Sequence, residues 1–274
     1  MNFIKGIVEN TPLAALYRAV RDELRFSRRE IKKTPLGYYF TGHSQMQSGT
    51  FEQAEVALLQ HHLKMADVFI DIGANIGYFT CLACLMKKRV IAFEPLSSNL
   101  RYLYENLQAN AWGGDVEVYP VGLAERPGLA DLYGSSTCAS LIPGWSGASK
   151  KFKRTIPLST LDILVGNRFL GEKIVIKMDV EGAEYAALLG AKTILQAEPR
   201  PVWLVEITLF EHRQGEKNPH FLKTFQQFWD NGYRVAEIGG EGREIPRSEI
   251  EEYARTGNQP DWSAGNYLFV DGRS

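Results

Sequence analysis

Two short stretches hold most of the chemistry-bearing side chains. Asp71-Ile-Gly73-Ala-Asn75-Ile-Gly77 sets an acid, an amide and two glycines close together, and Lys177-Met-Asp179-Val-Glu181-Gly182-Ala-Glu184 sets a cation among three acids. In the first, Gly73 permits a tight turn and close approach of a ligand to the backbone. Gly77 permits close helix–strand packing, and a helix opening there presents free N–H groups. A pyrophosphate loop needs G-x-G-x-x-G, whereas the spacing here is G-x-N-x-G with Asp71 in front of it. A carboxylate at the mouth of the loop repels a pyrophosphate. It attracts an ammonium, directly or through water, and Asn75 adds a donor and an acceptor. The loop therefore predicts S-adenosylmethionine, which carries an ammonium and a sulfonium, in preference to a dinucleotide.

Glu94, in Phe93-Glu94-Pro95, lies 21 residues beyond Gly73. An acid about 20 residues after the glycine loop is placed to accept hydrogen bonds from ribose hydroxyls. Asp71, Gly73, Asn75, Gly77, Glu94 and Pro95 together make the candidate cofactor site.

In the second stretch Lys177 and Asp179 share a strand face by alternation. Asp179 and Glu181 then project at the edge where a transferable methyl group would sit. Methyl transfer to a hydroxyl requires in-line approach and removal of the hydroxyl proton, and a positioned carboxylate or histidine serves as base. Asp179, Glu181 and His212 are the candidates, His212 because its ordinary pKa lies near neutrality. Two other readings of Asp179 stand beside this one, contact with the methionine ammonium and a helix N-cap. Glu206 reaches the same edge. Asp179 and Glu206 are ligands that suit Mg²⁺, but no spacing demands a metal and none is assigned.

The elements that must position these residues alternate. Strands are predicted at 68–72, 89–93, 116–119, 173–178, 202–207, 233–238 and 267–270, with helices at 51–64, 76–87, 97–110, 184–196 and 219–231. Such alternation predicts βαβ units and a mostly parallel, doubly wound sheet. Residues 129–157, rich in Gly and Ser, break the pattern and predict an irregular or hairpin-containing insertion. That insertion and the 213–219 loop are expected to form the acceptor pocket. Trp145 is suited there to stack on a sugar face or to make an oligomer contact.

Residues 1–50 predict a helical extension to a domain spanning 51–274. Pro12–Arg29 has the periodicity of an amphipathic helix capped by Thr11, and Met1–Lys33 carries eight Lys/Arg against four acids. Its basic face is open to two readings, a contact with an anionic membrane or polymer and a merely solvated surface. The whole chain of 274 residues has a net charge of -1 and is 45% hydrophobic, so no overall charge points to nucleic acid. Three cysteines are too few for a disulfide framework, and Cys81-x-x-Cys84 reads as two small core residues rather than a redox pair. No apolar run reaches the roughly 20 residues of a membrane span, and a cytoplasmic enzyme is the default expectation.

Taken in order, these residues resemble the FkbM-type methyltransferase family. The likeness runs through Phe69–Phe79, Ala92–Pro95, Asn106–Asn110, Val121–Leu123, Cys138–Leu141, Pro157–Asp162, Ile176–Glu184, Gly190-Ala191 and Val205-Glu206. Asp179-Val-Glu-Gly-Ala-Glu184 is its most specific part; Met178, where a branched aliphatic residue is more usual, is a small departure. The resemblance implies a Rossmann-like methyltransferase sheet with an antiparallel last strand. It implies O-methylation of a hydroxyl on a sugar, glycan or secondary metabolite. It also implies that Asp71, Gly73, Asn75 and Glu94 hold S-adenosylmethionine while Asp179 and Glu181 lie between cofactor and acceptor. A methyltransferase acting on protein or nucleic acid, with the basic helix as docking element, and a non-catalytic cofactor-binding protein are the competing expectations. Oligomer formation stays open.

Overall fold

The computed structural model describes residues 20, 22–24, 26–134, 139–145, 153–210, 216–238, 242–262 and 265–273. In chain order the elements are β1 (Lys32–Lys33), β2 (Tyr39–Phe40), α1 (Ser44–Ser48), α2 (Gln53–Leu63), β3 (Val68–Ile72), α3 (Tyr78–Leu85), β4 (Arg89–Phe93), α4 (Ser97–Ala109) and β5 (Val116–Tyr119). Then come β6 (Gly122–Leu123), β7 (Gly128–Tyr133), β8 (Lys153–Ser159), α5 (Leu161–Leu164), β9 (Ile174–Met178), α6 (Glu184–Leu189) and α7 (Lys192–Leu195). The chain closes with β10 (Val202–Glu206), α8 (Phe221–Asp230), β11 (Tyr233–Glu237), α9 (Arg247–Thr256) and β12 (Asn266–Asp271).

Seven strands form the main sheet in the order β11-β12-β10-β9-β3-β4-β5. Strands β3, β4, β5, β9 and β10 are parallel, and β12 lies antiparallel between β10 and β11. This is the Rossmann-like arrangement with the antiparallel last strand. From β3 the chain winds outward through β4 and β5, then returns to β9 on the other side of β3. Strand order therefore reverses between β3 and β9, the switch point where open α/β sheets bind ligands beyond the strand ends. Asp71 pairs directly with Lys177 across that junction.

The central strands are buried on both faces, so they read as continuous apolar runs. All five residues of β3 and of β9 are buried. Val68, Ile70, Ile72, Ile174, Ile176 and Met178 join the core beneath α6–α8, while Phe69 and Val175 join the opposite core beneath α2–α4. Alternation puts Asp71 and Lys177 on the α2–α4 face as well. Burying a large apolar side chain contributes roughly 1.5–3 kcal/mol, and these two cores cement the strands whose ends form the site.

Most element positions match the expectations from sequence. The predicted 184–196 helix instead breaks into α6 and α7 at Gly190-Ala191. Any Cβ at Gly190 would run into the carbonyl of Ala124, so the helix end is pressed against the connection from β6. Residues 129–157 contain a true hairpin, β7 antiparallel to β8, with β6 added on its other edge. Helix α9 went unread, although Pro246 before it and Gly257 after it are start and stop signals. Of the predicted N-terminal helix, residues 20, 22–24, 26 and 27 are helical and the helix ends before residues 28 and 29; residues 12–19, 21 and 25 lie outside the described residues. This end is tied down by Phe26 on Tyr102, with ring centroids 5.0 Å apart, and by Glu23 paired with Arg101 at 2.5 Å. Among the described residues no helix is long and apolar enough to cross a membrane.

Candidate active site

A cavity of about 360 Å³ opens over the switch point, and Gly73, Asn75, Glu94, Pro95, Asp179, Glu181 and Glu206 all line it. The two motif stretches, 100 residues apart in sequence, meet here because β3 and β9 are neighbours. Gly73 has φ 85°, a left-handed value that favours glycine. A Cβ on it would run into the backbone carbonyl of Asp179, and the Asp179 N–H donates to the Ile72 carbonyl at 2.9 Å. Its small size thus serves the seam between the two loops, in addition to the tight turn and room for a ligand that the sequence suggested. Gly77 likewise packs against Leu103 of α4, a helix–helix contact in place of the expected helix–strand one.

Asp71 does not stand at the mouth. It is 2% exposed and accepts a hydrogen bond from the Thr80 hydroxyl at 2.5 Å. Alternation along β3 turns it toward α3, below the cavity floor, and burial pushes its pKa up to about 6. Glu94 is also buried, but its carboxylate reaches the cavity. The N–H groups of Asn75 and Leu96 donate to its two oxygens at 2.9 and 2.7 Å. Burial pushes its pKa up to about 7, against the pull of those N–H groups. A carboxylate has about four lone-pair sites, so the fixed oxygens retain capacity for ligand hydroxyls. Asn75, at φ 51°, has a buried side-chain oxygen with no hydrogen-bond partner in the protein. A buried acceptor left unmade is costly, and this one sits in the cavity wall, within reach of a ligand donor.

At the other end, Lys177 is 5% exposed and donates to Asp179 at 2.9 Å. Burial alone would lower its pKa, but the charges of Asp179, Glu52 and Asp71 outweigh burial and hold the ammonium above the usual lysine value. Its Nζ also lies 4.7 Å from the Phe79 ring centroid. Glu206 is pushed well above the ordinary carboxylate range, first by the negative charge of Asp179 and then by burial. Asp179 and Glu206 thus form a close carboxyl pair whose mutual repulsion is expressed on Glu206, with the Lys177 ammonium against Asp179. A carboxylate set between an ammonium and a second carboxyl can accept a proton or orient a hydroxyl.

Glu181 lines the cavity and is also fastened into the turn after β9. It sits at φ 53°; the Trp145 indole N–H donates to its carboxylate at 2.6 Å, and the Ser140 hydroxyl donates to its carbonyl at 2.5 Å. Gly182, at φ 94°, leaves space that the Trp145 ring fills. Trp145 is 2% exposed. It is thus neither a platform for a sugar nor a contact for another subunit, because it is the wedge that locks the β7–β8 arm to the β9 loop. Glu184 accepts from the Gly182 N–H at 2.8 Å and closes the same turn.

Sequence reasoning missed a further wall. His43, Gln45, Phe51 and Glu52 line the cavity from the chain's N-terminal side. The segment that leads into this wall, residues 39–41, is held by two asparagines of α4. Asn106 accepts from the Thr41 N–H at 2.7 Å and donates to the carbonyls of Thr41 and Ile76, while Asn110 accepts from the Tyr39 N–H and donates to the Tyr39 carbonyl. Each amide thus behaves as a short strand partner for residues 39–41. The spacing Asn106-x-x-x-Asn110 was the available signal, since it puts both amides on one helix face. His212 and residues 211–215 lie outside the described residues, and the described part of the 213–219 loop does not line the cavity. Cys81 and Cys84 are buried free thiols whose pKa values burial raises, as small core residues would be. Among the described residues no group of three or more His, Cys, Asp or Glu side chains could hold a metal ion.

A Rossmann-like sheet with a reversed last strand and an acid-lined cavity at its switch point defines a methyltransferase. The chain belongs to the FkbM methyltransferase family, whose domain model matches residues 71–235. It is 32% identical over 146 residues to the hexuronic acid methyltransferase AglP of Haloferax volcanii, covering 53% of this chain and 59% of that protein's length. Among solved structures it is similar to methyltransferase FkbM from Methylobacillus flagellatus, at 19% identity and TM-score 0.44, over 74% of this chain and 43% of that one. It is also similar to an O-methyltransferase from Bacillus cereus in complex with SAH, at 12% identity and TM-score 0.42, over 82% and 84% of the two chains.

Proposed function

We propose that this enzyme transfers a methyl group from S-adenosylmethionine to a hydroxyl of a sugar or glycan. The observation that carries the reading is the polarity of one cavity. A buried, backbone-fixed carboxylate (Glu94) beside an unmade amide acceptor (Asn75) stands at one end, and a carboxyl pair (Asp179 with Glu206) stands at the other. Glu94 would hold the ribose hydroxyls, and Asn75 Oδ1 would accept from the cofactor. The negative field of Asp71 and Asp179 suits the cofactor's ammonium and sulfonium. When bound, the cofactor supplies a methyl carbon made electrophilic by its sulfonium. Asp179 would take the proton leaving the acceptor hydroxyl. Lys177 holds the Asp179 carboxylate in place. Glu181 orders the turn through Trp145 instead of acting on the substrate.

The acceptor class rests on the likeness to a hexuronic acid methyltransferase and on the polar carboxyl pair at the far end of the cavity from Glu94. Calorimetry with S-adenosylmethionine, S-adenosylhomocysteine and NAD tests the cofactor half. The first two should bind and NAD should not; preferential binding of NAD would overturn the assignment. Radiolabelled methyl transfer to methyl glycosides of neutral hexoses and hexuronic acids tests the acceptor half. Saturable cofactor binding with transfer only to a protein or nucleic acid would refute the sugar reading and leave the cofactor reading standing.

A further inference from the structure

The matched family domain begins at residue 71, yet part of the cavity wall comes from residues 43–52. The strand-end residues assigned above to the cofactor lie within the matched domain, and this added wall faces the same space. Its most unusual member is Glu52. It adopts φ 40° and ψ 54° immediately before α2. Left-handed geometry at a non-glycine residue costs on the order of 1–3 kcal/mol and persists only where the surroundings impose it.

Here the surroundings do so from both sides. The Glu52 carbonyl accepts from the Val56 N–H at 2.9 Å, and Val56, Leu59 and Leu63 root α2 in the core. On the other side Phe51 meets the Tyr78 ring edge-to-face at 5.7 Å and the His43 ring at 6.1 Å. Glu52 is therefore presented to the cavity by a fixed backbone. Around it stand Lys177 of β9, Asp179 just after that strand, Asp71 of β3, Glu55 of α2 and Tyr78 of α3. Burial pushes its pKa up to about 7, with Lys177 pulling it down and the neighbouring acids pushing it up. A carboxyl poised between charged and neutral forms can accept from a hydroxyl or donate to a ring oxygen. It uses no residue of the cofactor loop to do so.

We propose that Glu52 contacts the methyl acceptor directly, hydrogen-bonding a sugar hydroxyl beside the one that is methylated, and that residues 43–52 select the acceptor. The inference rests on the sugar reading above. Glu52 then fixes the ring while Asp179 accepts the proton, so the two carboxylates divide orientation from chemistry.

Glu52→Gln and Glu52→Gly test it together. Glycine relieves the left-handed strain while removing the carboxyl, so this variant should be no less stable than the wild type. Binding of S-adenosylhomocysteine is measured first by calorimetry. Methyl glycosides of neutral hexoses and hexuronic acids are then presented to the protein saturated with S-adenosylhomocysteine, and saturation-transfer NMR reads their engagement. Transfer kinetics follow with whichever glycosides bind. The expected result is unchanged affinity for S-adenosylhomocysteine in both variants and acceptor affinity about tenfold lower, the loss of one charge-assisted hydrogen bond. The kcat/KM profile of Glu52→Gln should also lose an inflection near pH 7 that the wild type shows. Two results would overturn the proposal with the sugar reading intact: glycoside engagement equal in wild type and both variants, or weakened S-adenosylhomocysteine binding in the variants, which would place Glu52 on the cofactor. Wild type that binds S-adenosylhomocysteine but engages no glycoside overturns the sugar reading and the proposal with it.

Discussion

The cavity has two walls of different origin. One is made of strand ends and the loops that leave them: Gly73, Asn75, Glu94, Pro95, Asp179 and Glu206. The other is applied from outside the parallel sheet, by residues 43–52 on one side and by Leu132, Ala139, Leu141 and Ile156 of the β7–β8 arm on another. The strand-end wall is held by ladder hydrogen bonds and two cores. The applied wall is held by side chains, namely the amides of Asn106 and Asn110 and the indole of Trp145. Backbone geometry thus fixes one wall, while side-chain fastenings fix the other.

That division predicts where each substitution is felt. The largest effect is expected from Asp179→Asn. Removing a positioned base costs about 10²–10⁴-fold in rate, so kcat should fall by that much with S-adenosylhomocysteine affinity nearly kept; a fall below tenfold would remove Asp179 from the base role. Next is Glu94→Ala, which deletes hydrogen bonds to a charged group worth about 1.5–3 kcal/mol each. Cofactor affinity should drop about 100-fold by calorimetry, and an unchanged Kd would dissolve the assignment of this wall to the cofactor.

On the applied wall, Asn106→Ala strands the buried polar groups of Thr41 and Ile76, each costing about 1–3 kcal/mol when unpaired. Denaturant unfolding should show a loss of about 2–4 kcal/mol, and the folded fraction should show a raised acceptor KM. If cofactor binding fell instead, the two walls would not be separable. Trp145→Phe keeps the wedge but removes the bond to Glu181, and should lower kcat/KM by about tenfold while leaving the cofactor Kd in place.

The smallest effect is on stability against pH. Asp71, Glu52, Glu94 and Glu184 have folded-state pKa values raised by burial to about 6 or 7. The folded state holds these protons more tightly than the unfolded chain, so stability falls as pH rises from the ordinary carboxylate range through about 7. His62, whose pKa burial lowers, works in the opposite sense. With these four acids and Glu206, itself pushed well above the ordinary carboxylate range, against one histidine, Tm should rise by about 5 °C or more between pH 8 and 5.5. S-adenosylhomocysteine affinity should fall over the same interval as Glu94 becomes neutral. Parallel changes of Tm and affinity would contradict the placement of these buried acids.

The strand-end wall was legible in the sequence because its signals are local. A continuous apolar run followed by Gly73 and Gly77 marks a strand entering a turn and then a helix, and Glu94 follows at a spacing set by one βα unit. What local signals do not carry is partnership. Nothing near Trp145 says that its indole will reach Glu181, so a tryptophan among glycines and serines read as exposed. Asp71 read as a mouth residue because its position along β3 is clear but the face it takes depends on α3 and Thr80. Glu52 was invisible for a related reason: its left-handed backbone is imposed by α2 and Phe51, with no glycine or asparagine to announce it.

The contact of Gly73 with the Asp179 carbonyl has a consequence for how such enzymes diverge. The turn after β3 and the turn after β9 share one main-chain seam, with Ile72 bonded to Asp179 on one side and no space for a methyl group on the other. A substitution that shifts either turn must shift both, so mutations at the two should be epistatic rather than additive. New acceptors are then reached by lineages, or by engineers, that leave the seam untouched and rewrite the segments pinned around it.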